Sequence, residues 1–306
     1  MLKYNKILQD KKIIINGASK GIGQAVALGF AHQGAHVGLI SRNENLLREN
    51  VEQIKKEGCT AFHRVADVSN YKQLKSAMEG LISELGGIDV LVNNAGIVKI
   101  NYIPETVEEI DQILDVNLKG VIYGIFIALP YFNEQKKGSI ISTSSASALI
   151  ETNKIINNNA LYTASKAGIN LFSFCISQGL SKRIKVNVLM PGWVRTDMVA
   201  ATGNDVNEYL EKHFDVANPE DIVPFYTFYA SEESKRMSGD IVNLPLLRMA
   251  IRFAREYMES PSDDWSIIGP ALEKYSRGIY NHVKDHTRLL KFLLEGNAKG
   301  SSMMPR

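Results

Sequence analysis

"IIINGASKGIGQAVALGF", residues 13–30, places Gly17, Gly21 and Gly23 between a β-branched apolar run and a stretch of helical period. A strand that turns through glycine into a helix gathers free backbone N–H groups and the positive end of the helix dipole at one point. That point is a seat for a pyrophosphate. The strand before it and the helix after it separate such a loop from an ordinary flexible turn.

Outward from this stretch the same alternation repeats. "KIIIN" (12–16), "HVGLI" (36–40), "AFHRV" (61–65), "DVLVN" (89–93), "SIIST" (139–143), "KVNVL" (185–189) and "DIVNL" (240–244) read as buried strands, with helical patterns between them. Parallel neighbours need a crossover, so the pattern predicts an α/β fold: a Rossmann-like, doubly wound parallel sheet of about seven strands with helices on both faces. Ligands of such sheets sit at the carboxyl ends of the strands.

Two segments break the rhythm. "ASALIETNKIINNNA" (146–160), rich in Asn, reads as a loop between a strand and the next helix. After Leu244 the strands stop, and apolar residues from Met249 to Val283 recur at helical spacing, divided by Pro261 and Pro270. The expected division is therefore a sheet domain over 1–245 and a helical extension over 246–306, with "GNAKGSSMMPR" as a frayed tail. The extension has three readings: packing or subunit interface, a cap over the active site, or a membrane-seeking helix through "RLLKFLL". Packing or subunit interface is the default.

Composition narrows the function. A net charge of +2, with Lys and Arg mixed evenly among Asp and Glu, argues against a nucleic-acid surface. Cys59 and Cys175 lie far apart and lack His neighbours, so neither a disulfide framework nor a metal site is expected. The amino end lacks the apolar core of a signal peptide. The longest apolar run, Val121 to Phe132, is about half of the roughly 20 residues a membrane span needs. It reads as a buried helix ended near Pro130, and the expected location is the cytoplasm.

In "ALYTASKAG" (160–168), Tyr162 and Lys166 stand one helical turn apart and leave the same face. A nearby ammonium favours the phenolate, so this pair can form an acid/base whose pKa is drawn down towards neutrality. Upstream, "GSIISTSSASA" ends a strand in serines, of which Ser144 and Ser145 are candidates to join Tyr162. At the end of the second strand stand Ser41 and Arg42, with no acid there to repel a ribose phosphate. Arg42 offers a planar fork of donors to such a phosphate, and Lys20 adds a second cation.

The Gly-x-x-x-Gly-x-Gly spacing, "NNAG" (93–96), "DVNLKG" (115–120), Tyr-x-x-x-Lys and "LMPGWVRTDM" (189–198) together resemble the short-chain dehydrogenase/reductase family, in its order, over Lys11 to Leu244. The resemblance implies hydride transfer between NADP(H) and a carbonyl or secondary alcohol. It assigns Tyr162 the proton, Ser145 the substrate oxygen, Lys166 the nicotinamide ribose, and Asn117 a water in the relay. Cofactor contacts are implied at Gly17, Ser19, Lys20, Gly21, Ile22, Gly23, Ser41, Arg42, Asp67, Val68, Asn94, Ala95, Gly96, Tyr162, Lys166, Pro191, Gly192, Val194 and Thr196. Asp67 would meet the adenine and Thr196 the carboxamide.

The chain departs from the family pattern in three places. Asn16 stands where Thr is usual, and Asn can bond a neighbouring backbone group. Ser145 lies 17 residues before Tyr162, a longer gap than is common, with the excess in the Asn-rich loop. "NLPLLRMAIRF" replaces the usual Asp-Gly-Gly ending, which bears on a homodimer or homotetramer built through the carboxyl ends. Residues 193–214 are expected to fold over the cofactor as a lid, and Trp193, Met198, Val199 and Phe214 there read as either core or an apolar substrate wall. The competing class is an NADP(H)-binding sensor or scaffold without turnover.

Overall fold

The protein is represented by a computed structural model that describes residues 6–99, 104–149, 159–201, 203–214, 216–249, 286, 288–289 and 292–293. The seven apolar runs become β1 Lys12–Asn16, β2 His36–Ser41, β3 Ala61–Val65, β4 Val90–Asn93, β5 Gly138–Thr143, β6 Ile184–Met190 and β7 Ile241–Asn243. All pair in parallel, in the order β3-β2-β1-β4-β5-β6-β7.

Each crossover is helical: α1 Gly21–His32, α2 Glu44–Lys56, α3 Tyr71–Leu85, α4 Val107–Leu114, α5 Gly120–Gln135 and α6 Ala160–Gly179. Between β6 and β7 lie α7 Asp197–Ala200, α8 Asn204–His213 and α9 Pro219–Ala230. Polar caps set several starts: Asn43, Asn70 and Thr106 each accept from the backbone N–H three residues on.

Alternate residues of each strand bury against opposite layers, which is why these strands are almost wholly apolar. Ile13, Ile15, Val37, Leu39, Val90 and Val92 pack with α1, α2 and α9. Ile14, Ile40, Leu91, Ile140, Val186 and Val188 pack with α3, α5 and α6. The strand order reverses between β1 and β4, and a crevice opens above their carboxyl ends there.

Three expectations change. The helix expected to stop near Pro130 runs on to Gln135 with Pro130 inside it. Pro130 is exposed, as is Phe126 one turn earlier, so the carbonyl left without a proline N–H partner belongs to the solvent side. The apolar run is also longer than the sequence suggested, because α4 continues through a π-helical turn, Asp115–Lys119, into α5. Val107–Gln135 is the one helix among the described residues long and apolar enough to cross a membrane; its Ile125, Ala128 and Phe132 are buried in the core. Finally, helical residues 244–249 run across the expected boundary at 245, and Leu247 is buried with the first layer.

Most of the extension, its tail and positions 150–158 of the Asn-rich loop lie outside the described residues. Of "RLLKFLL", Leu289 and Leu293 are buried in the first layer and Phe292 stacks 5.1 Å from Phe228. These apolar side chains face the core, as the packing reading expects.

Candidate active site

β1 ends at Asn16, and the chain turns at Gly17 with φ +81°, a conformation side chains disfavour. The Gly17 N–H donates to the Ile40 carbonyl at 2.7 Å, and a Cβ on Gly17 would stand 2.6 Å from the Ala95 backbone. The glycine loop and the loop after β4 therefore touch, and Asn94 Nδ2 donates to the Gly17 carbonyl at 3.0 Å. α1 begins next, with no side-chain cap and no acid in its first turn. Its leading N–H groups are left to an anionic ligand, as a phosphate loop requires.

A cavity of about 1080 Å³ lies over these strand ends. That slightly exceeds the range of about 300–1,000 Å³ usual for one small ligand, so there is room for a dinucleotide with a substrate. Every residue expected to touch cofactor lines it except Gly23. A Cβ on Gly23 would fall 2.1 Å from the Gly17 carbonyl oxygen, so this glycine lets α1 close onto the loop rather than meet a ligand. Asn16, expected to bond backbone, instead donates from Nδ2 to Asn93 Oδ1 at 3.0 Å, joining the ends of β1 and β4.

At the β2 end, Ser41 is buried, and its hydroxyl accepts from the Asn43 N–H at 3.2 Å. The Arg42 guanidinium stands exposed, 3.8 Å from Asp67. Asp67 Oδ1 is occupied by Ser69, which donates from both its N–H and its hydroxyl. Lys20 is engaged elsewhere: its ammonium meets Asp197 at 2.7 Å, tying the glycine loop to the start of α7.

At the other end stand Ser145, Tyr162 and Lys166. Ser144 and Ser145, equivalent in the sequence, separate here. Ser144 donates to the Lys166 carbonyl at 2.9 Å and is buried, whereas Ser145 is half-buried on the cavity wall and is the serine that draws the Tyr162 phenol pKa down. Ser145 Oγ also accepts from the Ser147 hydroxyl at 2.9 Å, a support the serine-rich stretch did not single out. Lys166 is 3% exposed; its ammonium donates to the Thr143 carbonyl at 2.9 Å and lies 5.7 Å from the Tyr162 ring centre. A backbone acceptor such as Thr143 leaves no mark in a sequence.

The electrostatics reverse one expectation. Burial pushes the Tyr162 phenol above its ordinary value, and Ser145 only partly offsets that. Burial also brings Lys166 down to about 8. Desolvation is the largest cause at both groups, with Lys166 almost fully buried and Tyr162 half-buried on the cavity wall.

Asn117 lies in the π-helical turn, fully buried, and does not line the cavity. Its Oδ1 accepts from the Ile97 N–H at 2.8 Å, and its Nδ2 donates to the Ile97 carbonyl at 2.9 Å and to Ser165 Oγ at 3.1 Å. It thus clamps the loop after β4 to α6. A Cβ on Gly96 would meet both Lys166 Nζ and Asn117 Oδ1, so the glycine lets the two side chains approach.

Trp193, Met198, Val199 and Phe214, left open between core and pocket, all line the cavity. Trp193 and Phe214 pack at 6.5 Å between ring centres. Ile97, Val98, Lys212, Pro245 and Met249 join them without having been anticipated. For Ile97, Val98, Pro245 and Met249 the signal was position, since they follow the carboxyl ends of β4 and β7; Lys212 within α8 carried none.

Comparison with known proteins gives the family. The model of the short chain dehydrogenase family matches residues 11–207. A 3-oxoacyl-[acyl-carrier-protein] reductase of Staphylococcus aureus, FabG, is 32% identical over 240 residues, covering 76% of this chain and 96% of the relative. A short chain dehydrogenase of Burkholderia cenocepacia, solved with NADP, is 28% identical with a TM-score of 0.70, over 78% of this chain and 97% of that one. A 3-oxoacyl-[acyl-carrier protein] reductase of Brucella melitensis, solved with NAD, is 27% identical with a TM-score of 0.69, over 79% and 92%. With the glycine loop, the serine, the tyrosine and the lysine gathered on one cavity wall, the chain belongs to the short-chain dehydrogenase family of oxidoreductases.

Proposed function

We propose that the protein is a cytoplasmic NADP(H)-dependent reductase of a carbonyl compound with an apolar body, with residues 1–245 as its catalytic domain and 246–306 as a helical extension. The observation that carries this reading is that Ser145, Tyr162 and Lys166 line the same cavity as the glycine loop. The residues fit a dinucleotide: the uncapped start of α1 suits a pyrophosphate, and the end of β2 offers Ser41 and Arg42 with no acid of its own. A bound nicotinamide dinucleotide would supply the hydride, or accept it in reverse.

The chain's own residues supply the rest. Ser145 orients the substrate oxygen, and Tyr162 gives it a proton. Lys166 holds the ribose side of the site, and Asn117 is a positioning residue that acts from behind, through Ile97 and Ser165. A raised phenol pKa keeps Tyr162 protonated at neutral pH, which suits donation to a carbonyl rather than removal of a proton from an alcohol. A 3-oxoacyl thioester is one candidate substrate, given the names of the relatives. The turnover reading is favoured over a sensor because Ser145, Tyr162 and Lys166 are all present at the wall. Exposed Phe126, Leu171 and Phe174 on α5 and α6 support a homodimer or homotetramer that covers them.

Tyr162→Phe should lose carbonyl reduction by about 10²–10⁴-fold while NADPH binding, read by fluorescence, persists. Unchanged turnover would refute the mechanism. In the parent enzyme, reduction should be flat from pH 6 to about 7, where Tyr162 stays protonated and Lys166 charged, and should fall as Lys166 loses its charge through about 8. Alcohol oxidation should instead climb through the alkaline range without levelling off, because burial holds the phenol above its ordinary value. Arg42→Ala should cut the preference for NADPH over NADH about tenfold, a loss of roughly 1.4 kcal/mol; an unaltered ratio would refute the phosphate role. Light scattering should give an oligomer that Leu171→Glu shifts towards monomer.

A further inference from the structure

The charged side chains on the cavity wall are Lys20, Arg42, Asp67, Lys166, Asp197 and Lys212. Four of them pair off, Lys20 with Asp197 at 2.7 Å and Arg42 with Asp67 at 3.8 Å, and Lys166 donates to Thr143. Lys212 has no ion pair or hydrogen bond, with no carboxylate of a described residue within 4.0 Å. It stands in α8, two residues before Phe214, is exposed, and lines the same cavity as Trp193, Met198 and Val199.

The position of Lys212 is held. Arg195 grips Glu211, the adjacent residue, with two bonds of 2.8 and 2.5 Å, and donates also to the Val216 carbonyl at 3.0 Å. Tyr209 packs against Phe214 at 6.2 Å. A bidentate pair of this kind fixes orientation as well as distance, so the helix is anchored to the chain that leaves β6. The acids of α8 are not directed at the cation: Glu211 is occupied by Arg195, and neither Asp205 nor Glu208 pairs with Lys212. An ammonium without a partner on the wall of a cavity that also carries Trp193, Met198, Val199 and Phe214 suits an apolar body that ends in an anion.

We propose that Lys212 determines specificity by receiving an anionic group, a carboxylate or a phosphate, on the far end of an apolar carbonyl substrate. This rests on the reductase reading of the same cavity and names the substrate class within it.

The test uses the full-length protein with NADPH and keto acids in which three to eight methylenes separate ketone and carboxylate, each beside its methyl ester. A parallel arm replaces the carboxylate by a phosphate monoester, beside the corresponding alcohol. Both kcat/KM and Kd, by titration calorimetry, are measured for each compound. At the best spacing the anion should exceed its neutral partner by about five- to tenfold in both measures. Lys212→Gln should bring that ratio to about one, and Lys212→Glu should invert it. The arm with the larger ratio identifies the anion. Equal values for anion and neutral partner at every spacing, or a preference that survives both substitutions, would overturn the proposal. Calorimetry keeps the two readings apart: Lys212-dependent binding without turnover supports this assignment while defeating the reductase reading, and turnover without anion preference does the reverse.

Discussion

Two hydrogen bonds between the end of β5 and the start of α6 hold the site together. The Lys166 ammonium donates to the Thr143 carbonyl, and the Ser144 hydroxyl donates back to the Lys166 carbonyl, each at 2.9 Å. Both are buried, where an unpaired polar group costs about 1–3 kcal/mol, so neither partner leaves readily. With strand and helix stitched this way, the next residue of the strand end, Ser145, and the residue one turn back on the helix, Tyr162, must face each other. The geometry proposed for catalysis is a by-product of satisfying a buried lysine.

The same burial sets the chemistry. A phenol beside an ammonium is expected to be acidic, yet withdrawal from water raises one group and lowers the other. Both shifts move the pair towards its neutral forms, and the phenol keeps its proton. Around the rim of the cavity, by contrast, exposed ions pair off, and solvent screening makes such pairs worth at most about 1 kcal/mol. Rigid hydrogen bonds at the centre and exchangeable ion pairs at the edge suit a cavity that must admit and release charged ligands.

Much of this was legible from residue order. Seven β-branched runs spaced by helical patterns leave few architectures besides a doubly wound sheet, and the strand positions agree within a residue or two. Tyr162 and Lys166 share a face by helical spacing alone. What escaped depends on partners far away in the chain. Lys20 was matched with Arg42 by charge, but its partner, Asp197, lies 177 residues on. Gly23 looked like a ligand contact because of its neighbours, while its role is set by the Gly17 carbonyl. Asn117 owes its clamp to a π-helical turn, which no periodicity announces. The direction of the tyrosine shift depended on depth of burial, a quantity that only packing decides.

The short helix at residues 244–249 bears on how the protein can be dissected. Leu247 is in the core, Arg248 reaches Asp221 of α9 at 3.7 Å, and Met249 forms part of the pocket wall. Trimming the chain after the last strand, at the point where the sheet ends, would strip a hydrophobic anchor and open one side of the binding chamber. A cut beyond Met249 would keep the sheet, the stitched lysine and the described mouth of the cavity, but it would still remove Leu289 and Leu293 from the core and Phe292 from its place against Phe228.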